Sequence, residues 1–134
     1  MNDVSVKHPE WLDIDVNGTI SHGYDQEWFD DEWQRLSGCG PTSATQVLSY
    51  SEFRDGLLDV STTANHTLAL ERMNVVWNYV KPRFGGGVYK TQWMERGLRR
   101  LFDAKNLPYE VHMLNVSPFS ASRVEVEAAA QFIH

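Results

Sequence analysis

Four stretches of this chain space their apolar residues as a helix does, and one alternates convincingly as a strand does. That imbalance restricts the fold more than any other feature, because a lone strand leaves its backbone N–H and C=O groups unpaired. The spacing predicts helices from Pro41 to Phe53, from Asn65 to Val80 and from Thr91 to Ala104. A fourth starts at the capping box Ser122-Arg123-Val124-Glu125 and runs through Ala128 and Phe132. The second is dense in Leu68, Leu70, Met73, Val76, Trp77 and Val80, which predicts a largely buried helix stopped by Pro82. The third sets Trp93, Met94, Leu98, Leu101 and Phe102 inward and Arg96, Arg99 and Arg100 outward. The strand is expected from Tyr109 to Val116.

Such a strand can pair with the N-terminal segment, with another chain, or with a sheet that this polypeptide lacks, and the third option is favoured. Residues 1–22 offer only the short alternation of Leu12, Ile14 and Val16, closed by the turn dipeptide Asn17-Gly18, and read as an extended arm or short hairpin. The expected class is therefore α+β, mostly helical with few strands. It forms one domain over residues 1–134, with residues 1–22 as an arm and the C-terminal sheet incomplete or missing. The aromatic and acidic stretch between Gly23 and Gly38 is too irregular for a helix and reads as a loop anchored by Trp28 and Trp33. Gly85-Gly86-Gly87 lacks the Lys-Ser/Thr of a phosphate loop and reads as a plain turn.

Composition narrows the function. Hydrophobic residues at 42% and aromatics at 12% describe a globular chain, while a net charge of -6 argues against a nucleic-acid partner. The basic group Arg96 to Arg100 reads as a solvated helix face. No run approaches the ~20 apolar residues that span a bilayer, so no membrane partner is expected. The first residues lack the basic start and apolar run of a signal peptide, so the chain as written is expected to be cytoplasmic. No Cys/His/Asp/Glu cluster has metal-ligand spacing, and neither a metal nor another cofactor is expected.

Cys39 is the only cysteine, so its thiol is free. It lies in Gly38-Cys39-Gly40-Pro41-Thr42-Ser43-Ala44, at the start of the first predicted helix. A helix N-terminus offers unpaired N–H groups and about half a positive charge, which favour a thiolate. The flanking glycines are expected to leave the sulfur uncovered, and Pro41 suits a first turn. A cysteine attacking a carbonyl needs a base and donors for the developing oxyanion. The Cys39 N–H is one such donor, and the side chain of Gln26 or Gln34 is a second; spacing does not choose between them. Of His8, His22, His66, His112 and His134, only His112 sits downstream of the thiol on an element able to hold an imidazole rigidly. A lone histidine on a strand is more often structural or solvent-facing.

Gly23-Tyr24-Asp25-Gln26, the aromatic spacer with Trp28 and Trp33, and Gly38 to Ala44 together resemble the start of the bacterial papain-like cysteine peptidases of the C39-like group. The match is specific over about Gly23 to Tyr50. The resemblance implies a papain-like fold, peptide or amide substrates, Cys39 as nucleophile and Gln26, not Gln34, as the oxyanion-hole amide. The family's histidine normally opens a strand of a C-terminal sheet in a His-Trp or His-Phe-Val context, and neither motif occurs here. The expected function is thus a cysteine-dependent hydrolase. The alternative is an inactive remnant or interaction module of the same fold, forming homo-oligomers through an exposed strand or helix faces.

Overall fold

The computed structural model describes residues 6–82 and 91–112. They fall in two compact units, residues 6–82 in one and residues 91–112 in the other. The described chain is α+β in character and mostly helical, with four helices and a two-stranded antiparallel sheet. Among the described residues no helix is long and apolar enough to cross a membrane.

In the first unit, β1 (Asp13–Val16) pairs with β2 (Thr19–His22), with Asp13 opposite His22 and Val16 opposite Thr19. The turn needs positive φ at both central residues, which Asn17 (53°) and Gly18 (87°) adopt readily. Asp15 Oδ1 then accepts from the Gly18 N–H at 2.7 Å. The other side of β1 is tied down as well, because Asp15 N–H donates to Ala64 O at 2.8 Å. Of the two readings of this segment, the short hairpin is the one formed, and it buries Ile14.

The stretch from Gly23 to Gly38 is not the continuous loop that its irregular pattern predicts. A 3-10 turn covers Gln26–Trp28, with Asp25 capping the N–H of Glu27. A short helix, α1 (Glu32–Ser37), follows, capped by Asp31 on the N–H of Gln34. Local caps do this work, since six residues are too few for an apolar period to register. Helix α2 (Cys39–Arg54) begins two residues before its predicted start, and α3 (His66–Tyr79) lies within the predicted bounds. The two pack together, with α3 also against β1.

Helix α3 buries one stripe, Ala69, Met73 and Val76, and leaves Val75 exposed, so it is not the largely buried helix its density predicts. These residues join Ile14, Phe29, Leu48, Phe53 and Val80 in the core. Full burial of each large side chain contributes about 1.5–3 kcal/mol. Helix α2 also buries polar groups, most of which find partners. Thr45 Oγ1 donates back to Pro41 O at 2.7 Å, and Ser49 and Glu52 take hydrogen bonds from Arg72 of α3.

In the second unit, α4 (Thr91–Lys105) buries Gly97, Leu101 and Phe102, and an i,i+4 pair joins Glu95 to Arg99 at 2.7 Å. Asn106, at φ 52°, ends the helix in a left-handed residue, and Leu107 N–H closes back on Phe102 O at 2.9 Å. The strand expected from Tyr109 does not form over residues 109–112. Tyr109 instead packs edge-on against Phe102, 5.7 Å between ring centroids, so the apolar residue serves a return onto α4 rather than a ladder. Residues 113–116 of that strand, the helix from Ser122, the Gly85 to Gly87 turn and His134 lie outside the described residues.

Candidate functional site

Cys39 is the first residue of α2 and its thiol is exposed. Helices α1 and α3 are each capped by a side chain, Asp31 and Asn65 respectively, whereas α2 starts from Gly38 with no side-chain cap. The first bond of the turn is Thr42 N–H to Gly38 O at 2.9 Å, so the N–H groups of Cys39 and Gly40 precede the first hydrogen bond of this turn. This open end carries the positive pole of the helix dipole.

Gly38 does a different job from the one its neighbourhood suggests. A Cβ there would collide with the Gln34 carbonyl oxygen and come within 2.7 Å of Phe29 Cε2. Its missing side chain makes room for the Phe29 ring under the α1–α2 junction rather than access to the sulfur. Phe29 in turn meets Trp77 of α3 edge-on, at 5.4 Å between centroids. Pro41, third in the helix, is fully buried.

The two glutamines separate clearly. Gln34 Nε2 donates across to Asn74 Oδ1 on α3 at 3.3 Å, which ties it into the helix packing. Gln26 Nε2 donates to the Arg35 carbonyl at 2.7 Å. Helical carbonyls point toward the residue four positions on, and for Arg35 that residue is Cys39. The Gln26 amide thus sits at the C-terminal mouth of α1, where the chain passes into α2. Its second N–H has no partner among the described residues. The Arg35 guanidinium folds back on the same loop, donating to Phe29 O at 2.8 Å and Asp30 O at 2.7 Å.

None of the described histidines hydrogen-bonds to Cys39. His8 pairs with Glu10, His22 with Asp13, and His112 with Glu110 at 3.2 Å, on side chains 71% and 84% exposed. His112 therefore stands on an irregular, solvent-facing segment, not on the rigid strand that made it a base candidate. His66 opens α3 with its ring edge-on to Trp28 at 5.1 Å and a buried Nε2 that has no hydrogen-bond partner among the described residues. It stands eleven residues, roughly 16 Å, along α3 from Trp77, which packs against Phe29. Among the described residues no group of three or more His, Cys, Asp or Glu could hold a metal ion.

A second set of contacts, not visible in the sequence, holds the segment leading to Gln26. Tyr24 N–H donates to Gln46 Oε1 at 3.1 Å, and Tyr24 Oη lies 3.0 Å from Ser49 Oγ. Both partners are on α2. Arg72 Nε donates to that Ser49 Oγ at 2.8 Å, and Arg72 Nη2 to Glu52 Oε1 at 2.5 Å. The only signal in the sequence is that Gln46, Ser49 and Glu52 are polar on a helix that must pack.

The helices on either side of Gly38 also expose apolar side chains. Leu36 of α1 is 72% exposed and Val47 of α2 is 68% exposed, and Trp33 is 41% exposed. Comparison with protein-family models, curated proteins and solved structures found no match to this chain.

Proposed function

We propose that the chain is a cysteine-dependent hydrolase of peptide or amide bonds, of papain-like architecture, with Cys39 as nucleophile and Gln26 as oxyanion donor. One observation carries the reading: the Gln26 amide is bonded to the Arg35 carbonyl, at the junction where α1 hands over to the uncapped helix that Cys39 begins. In this reading the Cys39 sulfur attacks the substrate carbonyl carbon and the thiol proton passes to a base. The Cys39 N–H and the second amide N–H of Gln26 receive the charge that develops on oxygen. The C–N bond then breaks with the amine taking up a proton, and water hydrolyses the thioester to a carboxylic acid and the thiol. No described histidine is assigned the base.

Labelling with iodoacetamide at mildly acidic pH tests the claim. A rate well above that of free cysteine, lost in Cys39→Ser, is expected. A rate equal to free cysteine sinks the hydrolase reading.

A second reading, a non-catalytic interaction module, is favoured by the exposed Leu36 and Val47 on the helices that flank and carry Cys39, and by the lack of a described histidine bonded to the thiol. It requires self-association, so a strict monomer in light scattering, melting cooperatively, removes it.

A further inference from the structure

We infer that Gln46 is a positioning residue, which fixes the Gln26 amide by holding the main chain of Tyr24. The inference rests on the reading of Gln26 as an oxyanion donor. It stands on the path from α2 to that amide. Gln46 sits two turns along the helix that Cys39 opens, so thiol and clamp share one rigid body. Its Oε1 accepts from Tyr24 N–H, two residues before Gln26. Gly23 makes the approach possible: at φ 132° it adopts a conformation that side chains resist, and a Cβ there would lie 2.6 Å from Gln46 Oε1.

The Tyr24 side chain is held separately, against Ser49, whose hydroxyl oxygen accepts from Arg72. Downstream, Asp25 caps the 3-10 turn, and the turn places Gln26 against Arg35. Gln26, whose side chain makes the bond to Arg35 O, is only two residues on from the clamp at Tyr24 N–H. A carboxamide that must meet an oxyanion within a fraction of an ångström needs such a support, because a loop alone leaves it too loose.

The experiment compares two reactions of the Cys39 thiol on the full chain. Alkylation by iodoacetamide forms a carbon–sulfur bond, expels iodide and develops no oxyanion. Acylation by p-nitrophenyl acetate forms a thioester, expels p-nitrophenolate, releases the thiol proton to solvent and passes through an oxyanion. The ratio of the two rates therefore reads the oxyanion donors and cancels any change in the thiol itself. Gln26→Ala is expected to lower the ratio about a hundredfold, the usual size for losing one such donor. Gln46→Ala is expected to lower it at least about tenfold, and Gln46→Glu, which keeps an oxygen acceptor for Tyr24 N–H, to restore it. Amide exchange at Trp28 and Phe29, bonded to Asp25 O and Gln26 O, is expected to quicken in Gln46→Ala and to return in Gln46→Glu.

A ratio lowered by Gln26→Ala but not by Gln46→Ala overturns the inference and leaves the hydrolase reading standing. A ratio untouched by Gln26→Ala removes the oxyanion role, and the positioning for that role falls with it. Unchanged exchange in Gln46→Ala overturns the inference whatever the rates show.

Discussion

Arg72 of α3 and Glu52 of α2 meet at 2.5 Å, Nη2 to Oε1, with only 7% of the Glu52 side chain in contact with solvent. The pair ties the two main helices together, and Arg72 spends its Nε on Ser49, which stands against Tyr24. Replacing Arg72 by Met leaves a buried carboxylate unpaired and removes the Ser49 donor. A loss of about 3 kcal/mol in urea unfolding is expected. Arg72→Met with Glu52→Leu should recover most of it, since removing both partners leaves no orphaned charge. A double variant as unstable as the single one would contradict this account.

Gly38→Ala should be costly although glycine to alanine favours helices elsewhere. The added Cβ meets a backbone oxygen and the Phe29 ring, neither of which is a flexible side-chain end. Overpacking of this kind costs about 1–3 kcal/mol. A Tm equal to the parent's would show that the α1–α2 junction has room to spare.

Thr42 is buried in the first turn of α2 with no partner for its Oγ1 among the described residues. Thr42→Val removes an unsatisfied hydroxyl at nearly constant volume. The variant is expected to be as stable as the parent or more stable, by up to about 1 kcal/mol. Destabilisation measured by chemical denaturation would reveal a partner for the hydroxyl.

Met73, fully buried in the α3 stripe, anchors the packing that Val75 on the exposed side does not. Met73→Ala should cost about 2–5 kcal/mol. Val75→Ala should stay within about 0.5 kcal/mol, as surface changes usually do. Similar losses for the two would refute a one-sided α3.

Asp59 carries the pH prediction. The Ser61 hydroxyl, followed by the Ser61 N–H, donates to its carboxylate and holds its pKa below 3.8. A carboxyl depressed in the folded state contributes stability that is fully present above 3.8 and is lost as pH falls through the lower folded value. Ser61→Ala removes the larger donor and keeps the backbone one, so the Asp59 titration followed by NMR should move up toward 3.8 without reaching it. No movement would mean that the hydroxyl is not the cause.

The Asn65 to Val80 and Thr91 to Ala104 patterns found their helices because their apolar residues recur at helical spacing, and α3 and α4 follow from that period. The same signal overstated α3, since Leu68, Leu70 and Trp77 count as apolar but remain partly exposed. Helix α1 and the 3-10 turn were hidden because Asp25 and Asp31 build them through caps, which leave no period. At Tyr109 and Val111 the alternation predicts a strand, yet the residues fold back on α4. Two apolar positions two apart do not separate these outcomes.

For the site, the sequence by itself determined that a free thiol stands at the start of a helix, because Gly38-Cys39-Gly40-Pro41 and the apolar period after it are local facts. Spacing left Gln26 and Gln34 equivalent, with only the resemblance favouring Gln26, and the glycines around the thiol did not foretell what Gly38 packs against. Only the tertiary structure decided what each side chain meets, by turning Gln34 across to Asn74, setting Gln26 on the Arg35 carbonyl and sliding Phe29 beneath Gly38. The reason is physical: caps and helical periods are made within a few residues, whereas the direction of a carboxamide depends on which donor or acceptor another part of the chain brings within 3 Å.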